Sequence, residues 1–145
     1  MIQRIQSIFL FLASLGFAGQ FATDFAISSV PAPNLMLDQI YEVQDNIVLL
    51  SITILGGLLA LIAIFLYQNR PLQMKLSIFV LILAIFLPLV AFLLIYNEGT
   101  ALASGTIITD QAGTYLPLVS IIFGFLAYNG IKKDETLVKS MDRLR

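Results

Sequence analysis

Between Asp45 and Arg70 the sequence holds 24 consecutive residues, 46–69, without a charged side chain. As a helix this run reaches about 36 Å at about 1.5 Å per residue, enough to cross a bilayer core about 30 Å thick with some tilt. An acid precedes it and a base follows it. Few soluble folds have a use for such a run, so it constrains the rest of the chain more than any other stretch.

Three more uncharged windows have comparable length: residues 5–23, 76–97 and 111–131. Each meets the requirement of about 17–25 residues for a membrane helix. The composition agrees, with 59% apolar and 12% charged residues over 145 positions. The expectation is one all-α domain, 1–145, with four transmembrane helices in an antiparallel bundle. The spans are about 3–23, 46–69, 76–97 and 114–131, with outer loops 24–45 and 98–113 and a tail at 132–145.

The first helix is expected to remain uncleaved. Gly16 and Ala18 resemble the small residues of a signal cleavage site, but apolar character continues past Gly19 to Phe25. Pro31 and Pro33 force extended backbone in the first loop. Segments 25–30 and 106–109 both have strand character, and Asp38 is an alternative cap for a lengthened second helix. Pro88 is expected to kink the third helix, and Pro117 to fall in the first turn of the fourth. Leu137, Val138, Met141 and Leu144 recur at helical spacing, so the tail reads as a short amphipathic helix continuing the fourth span.

Charge sets the orientation. Arg4, Arg70, Lys75, Lys132, Lys133, Lys139, Arg143 and Arg145 are all eight of the bases, and the four-span reading puts every one on one side. Asp24, Asp38, Glu42, Asp45, Glu98 and Asp110 fall on the other. By the positive-inside rule both termini are cytoplasmic and both acidic loops face outward. Tyr41, Tyr96 and Tyr115 then mark the outer interface, Tyr67 and Tyr128 the inner one.

The ends of the chain, Met-Ile-Gln-Arg-Ile-Gln-Ser at 1–7 and Lys-Asp-Glu-x-Leu-Val-Lys-Ser-x-Asp-Arg-Leu-Arg at 133–145, resemble a Bacteroidota-type domain-of-unknown-function family of short four-span inner-membrane proteins. The resemblance implies a multi-pass protein of the bacterial inner membrane. It brings no catalytic residue, and it points to the cytoplasmic ends as a docking surface.

Chemistry is sparse. With no cysteine and no histidine, thiolate nucleophiles, iron–sulfur ligation and imidazole ligands are all excluded. No span carries an ionisable group of the kind that marks proton and ion paths. Ser14, Gln20, Ser51, Thr53, Ser77 and Ser120 read as helix–helix hydrogen bonds. The acids Asp38, Glu42 and Asp45 lie close together, but their spacing matches no calcium loop, and exclusion of bases from an outer loop explains them. No catalytic, metal or cofactor site is expected.

What remains is surface. Gly16, Gly19, Gly56, Gly57, Ala60, Ser120 and Gly124 form small-residue faces for helix packing or for a partner's helix. Lys132, Lys133, Leu137, Met141, Arg143, Leu144 and Arg145 offer the tail to anionic lipid or to a partner groove. The expectation is therefore a non-enzymatic accessory or structural subunit of a larger inner-membrane complex. Its partners would be membrane lipids, other integral membrane proteins or a second copy, and not nucleic acid. The alternative is a small transporter or lipid-binding channel that opens a cavity at Pro88 and Gly56-Gly57.

Overall fold

The computed structural model describes the backbone at residues 2–31, 38–101 and 107–142, and side chains at 5–31, 38–97 and 107–141. Among them are four α-helices: α1 (Ile2–Ala18), α2 (Ile47–Phe65), α3 (Arg70–Ala101) and α4 (Ala112–Asp142). Three short strands join them: β1 (Ala26–Ser28), β2 (Ile40–Tyr41) and β3 (Ile108–Asp110). Segments Ile5–Ala22, Ile47–Phe65, Arg70–Asn97 and Ala112–Met141 are each long and apolar enough to cross a membrane.

Helix boundaries follow local chemistry. α1 tightens into a 3-10 turn at Gly19–Ala22, where the Thr23 hydroxyl donates back to the Gly19 carbonyl. α2 starts at Ile47 because the Asn46 side chain accepts from the Val48 N–H at 2.8 Å. Asp38 therefore does not cap a longer second helix. Its Oδ1 accepts instead from the Ile40 N–H, one residue into β2. α2 ends at Phe65, short of Asn69, and α3 begins at Arg70 with the Asn69 side chain accepting from Leu72 N.

α4 starts two residues before the expected position, so Pro117 stands in its second turn. It then continues without a break through the tail to Asp142. α3 also runs unbroken through Pro88.

The expectation of an all-α chain is modified at one end. β1 lies between β2 and β3, antiparallel to both, with Ala26 opposite Tyr41 on one side and Asp110 on the other. Both acidic loops thus enter one three-stranded sheet. α4 is stitched to the same place: Gln111 N and the Thr114 hydroxyl both donate to the Phe25 carbonyl, and Gly113 N donates to that of Asp24.

The helices meet as α1 with α2 and α4, and α3 with α2 and α4. Lipid tails are as apolar as leucine, so burial of apolar side chains gives little net drive between such helices, and close packing carries the association. One buried cluster joins Phe17, Leu49, Ala60, Val80 and Leu87 to Phe25, Tyr41 and Val43 beneath the sheet. A second, toward the other end, holds Leu10, Ala63, Ala127 and Ile131.

Candidate functional site

Three glutamine side chains organise the interior. Gln6, Gln20 and Gln73 are nearly fully buried, at 4%, 1% and 3% exposure, and each donates its amide to a neighbouring helix. Gln6 Nε2 lies 2.7 Å from Asp134 Oδ2, linking the start of α1 to α4. Gln73 Nε2 donates to the Ala63 carbonyl at 2.9 Å, one of the last four carbonyls of α2, which lack an intrahelical partner.

Gln20 Nε2 donates to the Gly113 carbonyl at 3.1 Å. Proline at 117 has no N–H, so the carbonyl four residues earlier loses its helical donor, and that carbonyl belongs to Gly113. Gln20 supplies the missing bond from another helix. Each such bond is worth about 0.6 to 2 kcal/mol in a membrane bundle.

Small residues let these bonds form. A side chain at Gly16 would collide with Ser120 Oγ, which donates to the Ala13 carbonyl at 2.9 Å. An added Cβ at Gly19 would meet Leu116 at 3.1 Å, and one at Gly124 would meet Leu81 at 3.1 Å. A Cβ at Gly56 would collide with the Phe17 ring, so that glycine makes room for an aromatic side chain of α1. Ala60 is fully buried. Gly57 lies against Phe17 Cβ and lines a shallow apolar groove between α1 and α2.

A second feature sits below the sheet. Phe25, Pro88, Ala91, Phe92, Tyr96 and Asp110 line a cleft of about 380 Å³ between α3 and the strands. That is the lower end of the size range of small-ligand pockets, and its walls are largely apolar, as such pockets usually are. The Thr114 hydroxyl at its edge already gives its proton to the Phe25 carbonyl. The Asp110 carboxylate and the Tyr96 ring, both exposed, are what an occupant would meet.

Beside the sheet, Glu42 and Asp45 cap each other across one turn. The Glu42 carboxyl is held above its ordinary value, first by loss of solvent and then by the charges of Asp24, Asp45 and Asp38. Burial also raises Asp45. The Glu42 N–H, donating to its carboxylate at 2.6 Å, opposes this, and the charge of Asp38 adds to it. Among the described residues no three such side chains are arranged to hold a metal ion.

At the other end the tail is exposed. Lys132, Lys133, Leu137 and Met141 face outward on α4, with the Lys132 ammonium 6.0 Å from the Tyr128 ring centroid. Arg143, Leu144 and Arg145 lie outside the described residues.

A domain of unknown function (DUF4293) matches residues 2–144. The chain belongs to the DUF4293 family. No curated protein and no solved structure matches it.

Sequence reasoning passed over two of the three clasps in this DUF4293 chain. Gln6 and Gln73 stand near span ends, where a glutamine reads as an ordinary interfacial residue. The available signal was spacing: Gln6 shares a helical face with Leu10 and Ala13, and Gln73 with Ser77 and Val80, all buried.

Proposed function

We propose that the protein is a non-catalytic accessory or structural subunit of a larger assembly in the bacterial inner membrane. In this reading the four helices form an antiparallel bundle across the bilayer, with both termini cytoplasmic. The observation that carries it is the use of the interior polar groups. Among the buried polar groups, Gln6, Gln20, Gln73 and Ser120 donate to neighbouring helices and Ser14 and Ser77 within their own, which supports a tied scaffold over a polar path for a substrate. The segregation of lysine and arginine supports the orientation.

Partners in this reading are other integral membrane proteins and lipids, reached through the apolar helix faces and the exposed tail. The test is purification from native membranes in mild detergent, with mass spectrometry of what co-purifies. A stoichiometric membrane-protein partner is expected. A chain recovered alone or only with itself overturns the accessory reading. Orientation is tested with cysteine at Asn34 or Ser104, which should react with an impermeant thiol reagent from outside. Cysteine at Ser140 should not react, and the opposite pattern overturns the assignment.

The cleft at Pro88 favours a second reading, a small transporter or lipid-binding channel. Its walls suit an apolar chain, and the Asp110 carboxylate suits a polar head beside it. Flux through the purified protein in liposomes would favour this reading over the first.

A further inference from the structure

We propose that the cleft between the α2–α3 turn and the last turns of α4 binds the phosphate headgroup of an anionic phospholipid. Tyr67, Gln68, Arg70, Glu135, Val138 and Lys139 line a space of about 470 Å³ there. The site joins residues far apart in sequence, and its anchor is Arg70, which lies outside the basic tail.

Its charge balance is positive. Lys139 Nζ lies 2.8 Å from Glu135 Oε1, so these two neutralise each other and the Arg70 guanidinium is left in surplus. Arg70 makes no ion pair among the described residues. It is also the first residue of α3, whose positive dipole end is set against the negative end of α2 beside it, so the surplus rests on the Arg70 charge itself. A guanidinium offers a planar pair of N–H donors that matches two phosphate oxygens, and Lys139 provides a mobile second donor.

The surroundings select a lipid over a free anion. Phe65, at 77% exposure, and the exposed Leu72 stand two residues in sequence from the cleft residues Tyr67 and Arg70. Tyr67 lies in the turn itself, its hydroxyl accepting from Gln68 Nε2 at 3.2 Å. An aromatic ring with a polar tip at the end of an apolar helix is a usual marker of the headgroup boundary. A phosphodiester held by Arg70 leaves its acyl chains against Phe65 and Leu72, whereas inorganic phosphate would leave that apolar surface unused. A zwitterionic lipid brings an ammonium group that offsets its phosphate, so the surplus Arg70 charge attracts it less than it attracts an anionic lipid.

The site rests on the reading of the four helices as membrane spans. Alkaline carbonate extraction tests that reading by itself, and the chain is expected to stay with the membrane. The site is tested by native mass spectrometry of the full chain with equal amounts of phosphatidylglycerol and phosphatidylcholine of identical acyl chains. Phosphatidylglycerol should be retained preferentially. Arg70→Gln should lower its retention about five-fold, the contribution of one base at a membrane surface. Glu135→Gln, which frees Lys139, should raise it. Lys75→Gln, at an exposed base that neither lines the cleft nor belongs to the tail, should leave it unchanged.

Equal retention of the two lipids overturns the proposal, as does a loss in Lys75→Gln matching that in Arg70→Gln. Displacement of phosphatidylglycerol by millimolar inorganic phosphate overturns the lipid assignment in favour of a soluble anion. If the chain resists carbonate and still shows equal retention, the headgroup site fails while the spanning reading stands.

Discussion

Gln20 donates to the Gly113 carbonyl, the one acceptor that Pro117 strips of its helical donor. A proline inside α4 and a glutamine at the end of α1 thus form a complementary pair. Replacing Gln20 by Leu should cost about 1–3 kcal/mol, because a buried carbonyl loses its remaining bond. In a Pro117→Ala background the helix regains its own N–H donor, and the same replacement should cost less than half as much. Thermal unfolding of the four variants in detergent measures this coupling. Equal costs in both backgrounds would refute the pairing.

The contact between Gly16 and Ser120 predicts a second non-additive pair. Gly16→Ala alone drives a methyl group into Ser120 Oγ and should cost about 1–3 kcal/mol, in the range of overpacked cores. Ser120→Ala forfeits the bond to the Ala13 carbonyl but opens that space. The double variant should then be more stable than the two single costs added together, as read in a double-mutant cycle.

Shortening the tail should separate two roles of α4. A chain ending at Lys133 loses Asp134, the acceptor of Gln6, and should unfold more readily as a bundle. A chain ending at Glu135 retains that bond and loses only the outward-facing helix. Protease resistance of the membrane-extracted chains should drop for the first and hold for the second.

The acids beside the sheet predict a dependence on pH. A carboxyl raised in the folded state stabilises the fold most when both states are protonated, below about pH 4, and that contribution is lost as pH rises through the raised value. Glu42 and Asp45 are both raised. Stability of the sheet end should therefore fall as pH climbs from about 4 through the raised values, and Glu42→Gln should flatten the slope. Thermal midpoints across that range provide the check.

How far the sequence could be read depended on the range of the interactions. Four helices were legible because an uncharged run such as 46–69 carries its meaning locally. The strand character of 25–30 and 106–109 was also local, but their pairing through β1 joins residues about eighty positions apart, which no local pattern encodes. The Gln20 bond was hidden for the same reason, since Pro117 declares a missing donor without naming its substitute. Gly56 was legible as a small residue on a helix face, but which side chain packs there was not, because the Phe17 ring comes from another helix. The cleft at Arg70 needed α4 to run unbroken past Ile131, which placed Lys139 beside a turn from the middle of the chain.

The order of the sheet has a bearing on synthesis. β1 can pair with β2 once the first loop has emerged, but its other edge stays open until β3, after α2 and α3, has been made. Closing that edge is therefore a late step, and it coincides with the start of α4, whose first turn bonds to Asp24 and Phe25. A nascent chain stalled before Ile108 would expose an unpaired strand edge of the kind that invites aggregation or surveillance. Completion of the small sheet thus reports that α1, α2 and α3 have all been made before α4 is added.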